Sequence, residues 1–289
     1  MTITQEAPAV RPQTDAPLLE VRDLVVRYDK KSAPAVDGVS FTIARGETLG
    51  LVGESGSGKT TIGRAILGLQ AVTSGQILFE GRDITNASPA ERRALHGDLR
   101  AVFQDPFSSL NPRRPVGDAI EEPLRVAGMP KVEREVRVRE ALEAVGLPGS
   151  ASERYPRQFS GGQRQRIAIA RALVTEPRLV VCDEAVSALD LSTQAQVLNL
   201  LADLRDGNDL GYLFIAHDIS VVEFLAQRVV VLYRGQIMEE GATADVIRDP
   251  QHPYTRVLMA ASPVPDPDEQ ARRRAAWSAL KAESADVRP

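Results

Sequence analysis

The chain has 289 residues, 43% hydrophobic and 26% charged, enough for one large globular domain or two small ones around a substantial core. Aromatic residues make up only 4%, so the core is expected to rest on Val, Ile, Leu and Ala. A formal net charge of −4 gives no general pull toward nucleic acid or anionic lipid, which argues against a nucleic-acid partner. The single cysteine, Cys182, excludes an intrachain disulfide or a thiolate-held cluster and suits a reducing, cytosolic setting.

Residues 1–17 mix Thr, Gln, Glu, Ala and Pro without a basic and then an apolar stretch, so they read as a disordered lead rather than a secretory signal. No segment approaches the ~18 uninterrupted apolar residues that a spanning helix needs. Residues 18–28 and 36–43 alternate apolar and polar positions as strands do, and 48–52 is a short apolar strand of the buried type. These early strands suggest a small antiparallel sheet beside a larger parallel one.

Residues 59–70 change to helical spacing, with Ile62, Ala65, Ile66 and Leu69 on one stripe. A short strand is expected at 76–80, turn-rich chain at 107–123, and a helix at 131–145 closed by Gly146 and Pro148. Residues 163–175 form a helix apolar on more than one side, and 179–182 is an apolar strand. A helix at 193–205 is expected to stop before Gly207. The segments 212–216 and 229–233 are further buried strands. Apolar strands alternating with amphipathic helices indicate an α/β domain with a parallel sheet.

Gly53-Glu54-Ser55-Gly56-Ser57-Gly58-Lys59-Thr60 matches G-x-x-x-x-G-K-[ST] between a predicted strand and a predicted helix, the context the motif requires. Glycines let backbone N–H groups wrap a β-phosphate, and the helix start adds its positive dipole end. Lys59 reaches the β- and γ-phosphates, and the Thr60 hydroxyl is placed to ligate Mg²⁺. These eight residues, with Thr61 beside them, are the candidate nucleotide-binding set.

The strand 179–182 runs into Asp183-Glu184, which sets two carboxylates at the C-terminal edge of the sheet beside the phosphate loop. Asp183 can hold Mg²⁺ through water, and Glu184 can polarise the attacking water. An exposed acidic turn after a strand is the competing reading. His217 follows the strand 212–216, whose end faces the same crevice, so a neutral imidazole there can hydrogen-bond the γ-phosphate. A structural histidine is the alternative.

Phe159-Ser160-Gly161-Gly162-Gln163, continued by Arg164-Gln165-Arg166, resembles the signature sequence of ABC transporter ATPases, with Phe where Leu is more usual. Other landmarks of that family fall in order from about residue 18 to 254. Gln104 looks like the glutamine that links Mg²⁺ to the membrane partner. Ser187-Ala188-Leu189-Asp190 looks like the D-loop, His217 like the switch histidine, and Tyr28 like the aromatic that stacks on adenine. The resemblance implies a P-loop NTPase (RecA-like) core with an antiparallel β subdomain and an α-helical signature subdomain. The ATPase domain would span 18–250, its helical part about 105–170, with a C-terminal extension over 251–289. It also implies a head-to-tail pair in which Ser160, Gly161, Gly162 and Gln163 of one subunit close over ATP held by the other, with Asp190 at the same junction.

A finer match joins Gln104-Asp105-Pro106-Phe107-Ser108-Ser109-Leu110-Asn111-Pro112-Arg113 with His252-Pro253-Tyr254-Thr255-Arg256. Both resemble the ATPases of oligopeptide, dipeptide and nickel importers. The resemblance implies a second, different ATPase subunit, two permease subunits, an external solute-binding protein, and a place on the cytoplasmic face of the membrane. Service to an exporter or a non-transport role is the alternative. Phe107 and Leu110 are expected to line the groove that receives the permease. The tail from 264, with Arg272, Arg273 and Arg274, reads as a solvated helix.

Overall fold

The computed structural model describes residues 16–29, 31–104 and 110–261. The expected disordered lead up to residue 15, Phe107 of the expected docking segment and the tail with Arg272, Arg273 and Arg274 lie outside the described residues.

In chain order, β1 (Leu19–Val26) and β2 (Val36–Ile43) precede β3 (Thr48–Val52), α1 (Lys59–Ile66), β4 (Ser74–Phe79), β5 (Arg82–Asp83), α2 (Pro89–Leu95) and β6 (Leu99–Phe103). Three helices follow, α3 (Val116–Val126), α4 (Lys131–Ala144) and α5 (Gly161–Leu173). The chain then runs through β7 (Leu179–Asp183), α6 (Leu191–Asn208), β8 (Gly211–Ala216), α7 (Ile219–Leu225), β9 (Arg228–Tyr233) and β10 (Gln236–Ala242). It closes with α8 (Thr243–Arg248) and α9 (Pro253–Ala261).

The expected pair of sheets is present. β1, β2, β4 and β5 form an antiparallel sheet in the order β2-β1-β4-β5. The larger sheet runs β10-β9-β3-β8-β7-β6, parallel throughout except where β10 joins β9. Every residue of β3, β7 and β8 is buried. That is what a parallel sheet covered on both faces demands of its central strands, and it explains their unbroken apolar runs.

Side-chain alternation along these strands divides the core in two. Tyr212 and Phe214 join Val180, Cys182, Val229 and Val231 on the face covered by α5, α6 and α7, and the helices α3 and α4 extend that core. Leu213 and Ile215 join Leu49, Leu51, Val181 and Leu232 on the opposite face, against α1 and the antiparallel sheet. Gly50 allows α7 to lie close, because a Cβ there would come within 2.1 Å of Val222 Cγ1.

Several expected boundaries move. α1 stops at Ile66, and Gly68 at φ 72° turns the chain away, leaving Leu69 64% exposed instead of on the buried stripe. α6 runs through Gly207 to Asn208 and ends at Asp209, whose left-handed φ of 53° does what a C-terminal glycine would have done. The stretch expected to be turn-rich runs into α3, with Pro123 inside that helix. Burial of Val116, Ile120 and Leu124 along one face outweighs the helix-breaking cost of that proline, about 3 kcal/mol. Leu110 is 3% exposed and belongs to the core of the helical region, so it does not line a docking groove.

Candidate functional site

β3 ends at Val52, and the next eight residues form a loop that closes on the first turn of α1. Gly53 at φ 152° and Gly58 at φ 107° take conformations that side chains resist. A Cβ at Gly53 would lie 2.1 Å from the Leu232 carbonyl oxygen, and one at Gly58 2.4 Å from that of Ala35. At Gly56 a Cβ would meet nothing within 4 Å. The loop is therefore packed tightly on its protein side and open at Gly56.

Lys59 folds back into this loop. Its ammonium donates to the carbonyls of Gly53 at 2.8 Å and Glu54 at 2.7 Å, with a longer contact of 3.3 Å to Ser57 Oγ. Burial pushes its pKa below the ordinary lysine value, opposed by the carboxylates of Glu184, Asp183 and Glu54. The Thr60 hydroxyl donates to Asp183 Oδ1 at 3.0 Å, which brings the end of β7 against the start of α1. Burial raises the pKa of Asp183, partly offset by that hydrogen bond. A buried carboxylate beside a hydroxyl is a hard-oxygen pair suited to a small divalent cation.

Glu184 sits at φ 50°, a left-handed conformation that costs a non-glycine residue about 1–3 kcal/mol. Its N–H donates to the Ile215 carbonyl at 3.0 Å, and the Ser187 hydroxyl donates to the Glu184 carbonyl at 2.9 Å. The turn is thereby tied to β8. His217, just past β8, brings Nδ1 to 3.9 Å from Glu184 Oε2. Both side chains also line a small cavity of about 60 Å³ together with Ser187 and Gln194. Strand order explains the gathering, because β3, β8 and β7 are consecutive neighbours and release the loop, His217 and Asp183-Glu184 at one edge.

Tyr28 lies 63% exposed, and its hydroxyl is 2.8 Å from Thr61 Oγ1. Gln104 follows β6 and is exposed. Ser160 caps α5 through a reciprocal pair, its Oγ accepting from Gln163 N at 3.3 Å while Gln163 Oε1 accepts from Ser160 N at 3.0 Å. Gly162 is required by packing, since a Cβ would fall 2.1 Å from Thr193 Cγ2 of α6. Gly161 would meet nothing within 4 Å. Asp190 caps α6, and Ser192 with Thr193 holds its pKa down to about 2. These signature residues bond to one another and to helix starts, not to the phosphate loop.

Two features had no visible signal at the sequence level. One is a groove of about 650 Å³ walled by the exposed Leu69, Phe103 and Val126 and floored by Arg100 and Arg171. The other is the reach of Tyr254 to the phosphate loop, its hydroxyl accepting from the backbone N–H of Glu54 at 3.2 Å.

The family described as "ABC transporter" matches residues 36–187, more than half of the chain. The chain belongs to the ABC transporter family. It is an ABC ATPase, and the members of that family bind and hydrolyse ATP. A second family, described as the C-terminal region of oligopeptide/dipeptide transporters, matches residues 238–286. A Brucella ovis protein named for peptide import ATP binding is 53% identical over 264 residues, covering 90% of this chain and 83% of its own. The glutathione import ATP-binding protein GsiA of Escherichia coli O157:H7 is 49% identical over 93% of this chain, which spans 45% of that longer protein.

Solved ABC ATPases share the fold. CbiO1 of Clostridium perfringens, part of the CbiONQ transporter complex, aligns with a TM-score of 0.74 at 27% identity, over 81% of this chain and 91% of its own. The ATP-binding cassette MJ0796, in a dimeric post-hydrolysis state bound to ADP and phosphate, aligns at 0.70 and 28% identity, over 78% and 98%. The expected fold class, a P-loop core with an antiparallel β subdomain and a helical subdomain, is the one observed. No described helix is long and apolar enough to cross a membrane.

Proposed function

We propose that this ABC ATPase powers import of a peptide-class solute. The observation that carries the proposal is the match of residues 238–286 to the C-terminal region of oligopeptide/dipeptide transporters, which lies outside the common ATPase core. The names of the Brucella and Escherichia relatives point the same way. The working complex in this reading contains a second, different ATPase subunit, two permease subunits and an external solute-binding protein, with this chain on the cytoplasmic face of the membrane.

In this reading the phosphate loop from Gly53 to Thr60 cradles the ATP phosphates, Lys59 supplies positive charge, and Tyr28 offers its exposed ring to adenine. Thr60 and Asp183, with Gln104 just past the β6 residue that pairs with Asp183, would hold Mg²⁺, which would offset phosphate charge when bound. Glu184 orients and polarises the attacking water, and His217, 3.9 Å from Glu184, hydrogen-bonds the terminal phosphate and keeps the carboxylate aligned. The open side of Gly161 supports a head-to-tail partner, since among the described residues nothing lies within 4 Å of a Cβ there to require a glycine. Ser160 and Gln163 would flank the partner's ATP, and Asp190 would sit at the same junction. The groove walled by Leu69, Phe103 and Val126 is the surface offered to the permease.

Uptake of labelled di- and oligopeptides by a strain lacking the gene, complemented with wild type or Lys59→Ala, tests the reading. Wild type restores uptake and the variant does not. Peptide uptake that survives deletion, with loss of a different solute, would overturn it.

A further inference from the structure

The segment His252-Pro253-Tyr254-Thr255-Arg256 enters the argument so far as a mark of resemblance, yet its tyrosine reaches the nucleotide site. Pro253 opens α9, where its missing N–H costs nothing. Both oxygens of Glu239 on β10 accept from the chain just before it, from Gln251 N at 2.9 Å and His252 N at 3.0 Å. His252 Nδ1 then accepts from Tyr254 N at 3.1 Å. The Tyr254 ring lies against Tyr233 at the end of β9, centroids 4.3 Å apart and tilted by 36°. Ring and backbone are thus both anchored, and the hydroxyl is delivered to Glu54 N at 3.2 Å.

The peptide group that receives this bond is the one that faces Lys59. Gly53 O and Glu54 N belong to a single planar trans peptide, so they point to opposite sides. On one side the carbonyl accepts from the Lys59 ammonium at 2.8 Å, and on the other the N–H donates to Tyr254 at 3.2 Å. Such a chain of bonds polarises each link in the same direction. An ammonium has three donors. Two are fixed on the Gly53 and Glu54 carbonyls, and the third has only the long 3.3 Å contact to Ser57, which a phosphate oxygen can replace. The loop is braced again where Gly235 N donates to Ser57 O at 2.9 Å, so β9, β10 and α9 hold it from one side.

We infer that Tyr254 is a positioning residue for ATP: its hydroxyl sets the Gly53–Glu54 peptide plane and, through it, the direction of the Lys59 ammonium. The C-terminal region thereby takes part in nucleotide binding without touching nucleotide. The inference rests on the reading of Gly53 to Thr60 as the ATP loop.

The test compares the purified full-length wild type with Tyr254→Phe, which keeps the ring and its contact with Tyr233 but removes the acceptor. ATP affinity and the KM for ATP are expected to weaken about threefold to tenfold, the factor typical of one lost hydrogen bond, with kcat and melting temperature nearly unchanged. Wild-type KM and affinity in Tyr254→Phe would overturn the inference. So would a lowered melting temperature with kcat and KM altered together, since that pattern marks a merely structural tyrosine. Lys59→Ala separates the two levels. If it loses ATP while Tyr254→Phe does not, only the tyrosine inference fails; if it binds ATP normally, the loop reading itself fails.

Discussion

Lys59 and Asp183 are the charges of the site that water scarcely reaches, and burial destabilises the charged form of each. In the proposed reading a triphosphate would supply anions to the first, and a divalent cation would compensate the second. Lys59→Ala should therefore abolish ATP binding or weaken it by orders of magnitude, measurable by equilibrium binding of labelled ATP. Glu184→Gln should leave binding intact while turnover falls by ~10²–10⁴, the range for loss of a general base. Steady-state hydrolysis of the variant checks this; near-normal rates would assign the water to another group. The loop residues were legible because they are contiguous, and Asp183-Glu184 because a buried strand ends there. The left-handed backbone of Glu184 was not, since its bond to Ile215 depends on which strand lies alongside. The 54–254 hydrogen bond was hidden for the same reason, being a product of tertiary placement.

At the scale of elements, the two signature glycines have different duties. Gly162 lets α5 lie against the start of α6, so Gly162→Ala must push those helices apart. Overpacking of this kind costs about 1–3 kcal/mol and should lower the melting temperature by several degrees. Gly161→Ala should melt like wild type and fail instead in ATP-driven pairing of subunits, read by size-exclusion chromatography of a Glu184→Gln background. Equal stability loss in both variants would remove the basis for a partner at Gly161. Asp190 adds a pH signature. Its pKa is depressed to about 2 when folded, so its cap strengthens folding above the ordinary carboxylate pKa and that support fades as pH falls toward 2. Replacement by Asn should flatten the acid limb of a melting-temperature profile below about pH 4. The inner strands β3, β7, β8 and β9 were read nearly to the residue because burial on both faces leaves no polar interruption, whereas β6, an edge strand carrying Arg100 and only partly buried, was not read. α3 was missed because local proline chemistry contradicts its packing.

For the molecule as a whole, two apolar cores back onto one sheet, and the groove lies where the helical region meets the strand edge at β6. Leu69, Phe103 and Val126 face outward there, while Leu110 supports the fold from within. Val126→Asp should leave ATP affinity and melting temperature of the isolated chain unchanged but abolish co-purification with the permease. Leu110→Asp should do the reverse, lowering stability before assembly. Retained assembly in Val126→Asp would exclude the groove as the permease seat. The general architecture was legible from strand–helix alternation, whereas the groove is built from residues at 69, 103 and 126 that no local pattern connects.

The position of β3 in the sheet also bears on how the protein is made. Its hydrogen-bonding neighbours are β8 and β9, so on the ribosome Thr48–Val52 has no parallel partner until residues from Gly211 onward have been synthesised. At about 5–20 residues per second that interval lasts roughly eight to thirty seconds. Through that time five residues destined for complete burial wait unpaired, directly ahead of the phosphate loop. A ribosome-bound fragment stopped before Gly211 should be incapable of retaining ATP, whereas one carried beyond Tyr233 and clear of the exit tunnel should hold it.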